Sequence, residues 1–207
     1  MEIIEKIKTN NSIENQTEIQ KICLHKLQSS PLPNPKSELW RLSNKSKFSN
    51  FLNYSINEKV PKFDTPYPKS SQSSIRLLIG ENCQIKRKEE NYSIQQIRED
   101  ELVKYIKQKI SCFDPNENWS DLLNLSLSCT KNILGLKING SKIPPIEIFS
   151  HASSNSLNAK TLVIFLEKNC AIDLLQVNLG KDNSALSQST FFCLEENSSL
   201  NLSLIHI

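Results

Sequence analysis

No two cysteines stand in a C-x-x-C pair, although the chain has six, at 23, 83, 112, 129, 170 and 193. Their irregular gaps exclude a zinc module built on paired ligands. No run approaches the ~18 consecutive apolar residues of a membrane span. The N-terminus lacks the apolar core of an export signal, because Glu2, Glu5, Lys6 and Lys8 interrupt it. Reduced thiols and a cytoplasmic location are therefore expected. Nucleophile-elbow, phosphate-loop and dinucleotide fingerprints are also missing. Nor is there an excess of one charge: 25 basic residues face 22 acidic ones, for a net +3. That balance argues against nucleic acid or an anionic membrane as the primary partner.

What is present is a repeat. LEKNCAIDLLQV, which begins at Leu166, returns as LEENSSLNLSLI, which begins at Leu194. The alignment sets Leu166 on Leu194, Glu167 on Glu195, Asn169 on Asn197, Leu174 on Leu202 and Val177 on Ile205, all at one offset. Each copy reads as a strand (162–166, then 190–194), an acidic Asn-containing corner and a second alternating strand (171–177, then 200–207). The offset falls in the range of ~20–50 residues that marks a solenoid, and short strands joined by polar corners suit the coil of a β-helix. The alternative is a β-sandwich, whose neighbouring strands pair as hairpins through Asn-Gly or Asp-Gly turns. Asn139-Gly140 is the one such dipeptide. The run from Ile138 to Phe149 reads as part of an earlier, weaker coil.

Ahead of the repeat, the sequence reads as helices and loops. Ser12 is placed to cap a helix with Ile19, Ile22, Cys23 and Leu27 on one face, ending near Gln28. Pro31, Pro33 and Pro35 keep the next stretch extended, and Trp40 anchors it beside Arg41. Residues 48–74 read as a long surface loop, and Ile75 to Ile79 as a short strand. Lys86, Arg87 and Lys88, answered at once by Glu89 and Glu90, read as a solvated face. Ser93 with Gln96 forms a capping-box pattern, which predicts a helix of ~18 residues through Ile97, Val103, Ile106 and Ile110. Asp114, Pro115 and Glu117 open another, with Trp119, Leu122, Leu123 and Leu127 on its face. After Cys129 the period falls from ~3.6 to ~2, with Leu134, Leu136 and Ile138 alternating. The residues from 151 to 160, HASSNSLNAK, read as a loop.

Three segments in this order resemble the SufB/SufD family of iron-sulfur cluster assembly scaffolds, its SufD branch above all. They are the proline-rich lead into ELWRLSN at Glu38 to Asn44, the helix from Trp119 entering GLKINGSKIPPIEIFS, and the coil that begins at Leu166. The resemblance implies an α+β chain. An N-terminal helical region with a Pro-rich strap and loop would occupy 1–128, and the first coils of a right-handed parallel β-helix would occupy 129–207. It further implies a non-enzymatic scaffold subunit, acting with a SufB-like paralogue and a SufC-like ATPase. The iron-sulfur cluster would be held only transiently, at the level of that complex. The sequence stops at Ile207 inside a strand, so a truncated chain or a partial reading frame is expected. The family's cluster-forming and docking residues belong mainly to its C-terminal half and map to no position here.

Candidate chemistry is sparse. Cys170 and Cys193 fall in neighbouring coils, yet by the repeat they align with Ser198 and Phe165 and so occupy different positions. Both read as buried structural cysteines. His25 reads as a surface or packed side chain and His206 as a polar strand residue. Glu167 and Glu195 stack at a corner, as in the carboxylate pairs of β-helix polysaccharide lyases, but no basic cluster stands opposite them. No catalytic, cofactor-binding or metal-binding residue is assigned. The alternatives are a non-catalytic β-solenoid interaction protein or a carbohydrate-active β-helix enzyme.

Overall fold

A computed structural model describes residues 17–29, 55–56, 73–79, 86–111, 118–130, 133–180 and 182–206. Among them three helices, α1 (Glu18–Ser29), α2 (Glu99–Ser111) and α3 (Asn118–Cys129), accompany ten strands in two sheets. The strands are β1 (Ser55–Ile56), β2 (Ile75–Leu78), β3 (Lys86–Lys88), β4 (Tyr92–Gln96), β5 (Ile133–Gly140), β6 (Ile146–Ala152), β7 (Ser156–Leu166), β8 (Ala171–Gly180), β9 (Ala185–Leu194) and β10 (Ser199–His206).

From β5 onward successive strands alternate between the sheets, and from β7 onward each lies parallel to the strand two places earlier. In one sheet Ile133 sits opposite Thr161 and Leu162 opposite Thr190. In the other, Ile146 sits opposite Leu174 and Leu174 opposite Leu202, the same step along the chain. We call this common step one rung. The sequence repeat is thus a structural register: Leu166 meets Leu194, Val177 meets Ile205 and His206 meets Asn178. The run from Ile138 to Phe149, expected to precede the repeat as a weaker copy, ends β5 and begins β6. Antiparallel pairing, which a sandwich of hairpins requires, is confined among the described residues to β3, β4 and β5.

Backbone conformation explains the period and divides it. Asn155, Asn169, Asn183 and Asn197 all have φ between 54° and 58°, and they are evenly spaced at half a rung. Each sits at a corner between two strands, in the left-handed region that Asn tolerates better than other side-chain-bearing residues. From β6 onward one half-rung is therefore one strand plus one Asn corner, whereas between β5 and β6 Lys142 takes the left-handed conformation, at φ 55°. The residue after each Asn is Ser156, Cys170, Ser184 or Ser198. The Ser156 hydroxyl donates to the Ser153 carbonyl at 2.8 Å, and the Ser198 hydroxyl to the Glu195 carbonyl at 2.6 Å. Corners also stack. Asn169 N–H donates to the Glu196 carbonyl, Ser199 N–H to the Cys170 carbonyl and Asn197 Nδ2 to Asn169 Oδ1.

The first rung is paired differently. β4 lies antiparallel on β5 and β3 on β4, while β2 extends the other sheet beyond β6. Gly140 closes β5 at φ 130°, where a Cβ would stand 2.2 Å from the Asn91 carbonyl oxygen. At the opposite end β9 and β10 are paired on one side only among the described residues. The exposed large apolar side chains Leu194, Leu202, Leu204 and Ile205 lie on those two strands.

The helices cover the outer face of the β5–β7–β9 sheet. Leu102, Ile106 and Ile110 of α2 pack with Ile19 and Cys23 of α1, Leu127 of α3 and Val163 of β7. Leu24 and Leu27 meet Leu125, Cys129 and Leu157. Thr17 and Gln20 form a reciprocal cap on α1, with Thr17 N–H donating to Gln20 Oε1 at 2.7 Å. Ser12, expected as the cap, lies outside the described residues, as do Trp40, Arg41, Asp114, Pro115 and the Pro31–Pro35 strap.

Three local expectations change. Tyr92–Gln96 is a strand and not a helix start, because Ile94 enters the inter-sheet core opposite Ile138. That pairing outweighs the local Ser93/Gln96 capping pattern, and α2 begins only at Glu99 and ends at Ser111. Within the expected 48–74 loop, Ser55 and Ile56 pair with Ser156 and Leu157. The expected 151–160 loop is a tight corner: His151 and Ala152 end β6, and Ser156 already begins β7. More broadly, the stretch before residue 129 supplies strands to both sheets as well as helices.

Candidate functional site in the inter-sheet interior

The space between the sheets has two chemical halves. Near the corners at 167–170 and 195–198 it is apolar, filled by Leu136, Ile138, Ile164, Leu166, Cys170 and Leu174 among others. Near the corners at 153–155 and 182–184 it turns polar. Alternation along β7 places Asn158 and Lys160 on the same inward face as Leu162, Ile164 and Leu166. Alternation likewise turns Ser150 of β6, Gln176 of β8 and Gln188 and Thr190 of β9 inward. Ser150, Asn158, Lys160 and Gln176 are all buried.

Lys160 is the centre of this half. Its side chain is 8% exposed and crosses from one sheet to the other, donating from Nζ to the Ile79 carbonyl at 2.9 Å. Burial alone pushes the ammonium down to about 8, and no neighbouring charge contributes. Gln188 is the register partner of Lys160 on the next rung. Gln188 Nε2 donates to Thr190 Oγ1, and the Thr190 hydroxyl donates to Gln176 Oε1, both at 3.4 Å. Gln188 Oε1 and Ser150 Oγ are buried without a hydrogen-bond partner among the described residues. Ile79, which accepts from Lys160, donates its own N–H to the carbonyl of Phe149, the residue before Ser150.

The outer face of the second sheet carries a buried ion pair. Arg76 of β2 and Glu147 of β6 are register partners, with Arg76 Nε 2.9 Å from Glu147 Oε2. The Arg76 guanidinium also lies 4.8 Å from the Phe149 ring centre. Glu147 is almost fully buried, and the guanidinium compensates its charge there.

The structure does not bring the two repeat cysteines together. Cys170 is buried in the inter-sheet core at the position that other corners give to serine. Burial, and then Glu167, raises its thiol above the ordinary range. Cys193 sits opposite Phe165 on the helix-covered face, where it meets Tyr105. Cys23 and Cys129 are buried, and desolvation pushes each thiol up to about 12. His25 is exposed on α1. Glu167 and Glu195 do stack at their corner, and Lys137 pairs with Glu167 at 2.6 Å, while Lys168 pairs with Glu196 at 3.1 Å. Lysines thus neutralise carboxylates at these solvent-facing corners. Arg87 and Lys88 are exposed on the edge strand β3. Among the described residues no group of three His, Cys, Asp or Glu could hold a metal ion, and no helix is long and apolar enough to cross a membrane.

Comparison with family models, with curated proteins and with solved structures finds no match. Sequence reasoning missed Lys160, Ser150 and the Arg76–Glu147 pair. The signal for Lys160 was available: extending the period back from Leu162 by twos reaches it, opposite Gln188 one rung on.

Proposed function

We propose that this chain is a SufD-like subunit of an iron-sulfur cluster assembly scaffold, with its two parallel sheets coiled as a right-handed β-helix. The observation that supports the reading most is the common parallel register of both sheets, preceded in sequence by helices that lie on one of them. The order of the ELWRLSN segment, the α3-to-β5 passage and the stacked rungs is the order that the resemblance implies. In this reading the cluster is cargo of the complex, and the chain contributes shape and pairing surface to a SufB-like paralogue and a SufC-like ATPase.

Co-expression with such a paralogue and ATPase tests it. The expected result is a stable ternary complex on size exclusion whose cluster-loading capacity falls when this chain is omitted. Recovery of the chain alone, with the other two assembling without it, overturns the reading.

A further inference from the structure

Beyond the scaffold role, we infer that the polar half of the inter-sheet interior is a binding site for a small monovalent inorganic anion, held by Lys160 with the Ser150 hydroxyl and the Gln188 amide. The inference starts from an imbalance. A buried charge is normally paired or coordinated, because desolvating an isolated ammonium is costly. Lys160 has three N–H donors, and its bond among the described residues goes to the Ile79 carbonyl, a neutral acceptor. The described polar side chains turned inward around it are serine, threonine, asparagine and glutamine, with no carboxylate among them.

The neighbouring groups supply the remaining donors. Ser150 is fully buried and its hydroxyl has no hydrogen-bond partner among the described residues. The Phe149–Ile79 backbone bond places it beside the carbonyl that Lys160 reaches. Gln188, directly opposite Lys160 in register, has one amide end bonded to Thr190 and the other unsatisfied. A half-turn of that amide presents Nε2 as a further donor; Thr190 then gives its one hydroxyl proton to Gln188 Oε1, and the Gln176 amide, turned likewise, donates Nε2 to Thr190 Oγ1. One ammonium and neutral donors match a single negative charge; a polyanion would need more cations than Lys160 alone provides. At neutral pH Lys160 is still mostly protonated, so the positive charge the site needs is in place.

Bromide is the probe. In crystals of the full chain grown with sodium bromide, an anomalous peak is expected within hydrogen-bond distance of Lys160 Nζ. In solution, replacing sodium glutamate by sodium bromide at constant ionic strength should raise the wild-type Tm by several degrees, with saturation. K160M, which keeps the apolar stem, should fold and lose that shift; S150A should weaken the half-saturating concentration several-fold. Density for water alone beside Lys160, or the same bromide shift in folded K160M, overturns the proposal. A separate K160Q variant, tested by circular dichroism and the same titration, covers the case in which K160M fails to fold. Loss of the bromide shift in that variant supports the site, and retention of it overturns the site.

Discussion

The two halves of the inter-sheet space are built by the same strands, a few residues apart, and obey different rules. In the apolar half each rung lays one apolar side chain on another, as Leu136, Ile164 and Phe192 do. Its stability is additive burial, at roughly 25 cal/mol per Å2 of apolar surface. In the polar half the same register stacks Lys160 under Gln188 and ties Gln188 to Thr190 and Gln176. There the net gain is small, because each hydrogen bond replaces one to water. The parallel stack thus tolerates a polar interior only because the other half supplies the driving force.

The largest expected effect breaks the apolar half. Ile164 is fully buried between its register partners Leu136 and Phe192, so Ile164→Ala should cost about 3 kcal/mol in chemical denaturation. A cost below about 1 kcal/mol would mean that the core is not continuous across rungs.

The next isolates the polar half by its pH dependence. Lys160 has an ordinary value of 10.5 and a native value of about 8. Between those limits the unfolded chain holds a proton that the native chain has released, so stability rises with pH through this window. The slope is at most about 1.4 kcal/mol per pH unit. Cys23 and Cys129 act oppositely, since their thiols ionise near 9 when unfolded and at about 12 when native, and they remove stability above pH 9. Between pH 8 and 9 the wild type should therefore gain stability and K160M should not. Equal profiles would place Lys160 in water.

A smaller effect separates corners from strands. Asn169→Ala should cost about 1 kcal/mol, because alanine pays the left-handed penalty at φ 58°, whereas Asn169→Gly should change stability by less. The smallest belongs to the surface. Lys168 and Glu196 are both well exposed, so Lys168→Ala should shift stability by less than about 0.5 kcal/mol. Thermal melts of the three variants in one buffer would rank these effects.

The rungs were legible because Leu166–Val177 and Leu194–Ile205 repeat both apolar spacing and corner residues, and the pairing follows that alignment residue for residue. The half-rung was not, since the two strands of a rung carry different outward residues and little recurs besides the corner Asn and the small residue after it. Ser93 and Gln96 misled because capping is a local signal, while Ile94 is held by Ile138, which lies beyond both α2 and α3 in the chain. Lys160 was hidden by polarity: a run of Ser, Asn and Lys reads as loop unless the partner strands are known. The cysteines were legible through the repeat, which put Cys193 on Phe165 and Cys170 on a corner serine.

The Asn corners also set how this part of the molecule can change in length. With a left-handed turn demanded once in every half-rung, chain length here is quantised. Gain or loss of one whole rung, the distance from Leu166 to Leu194, returns every side chain to its own sheet and its own face. A change of half a rung keeps the face but exchanges the sheets, so strands that carry the helices trade places with strands that do not. A step of one residue puts Ser156, Cys170, Ser184 or Ser198 where the backbone turns left-handed, which these residues tolerate less well than Asn. Duplication and deletion are therefore channelled into whole rungs, and the polar compartment, which spans neighbouring rungs, is lengthened or lost as a unit.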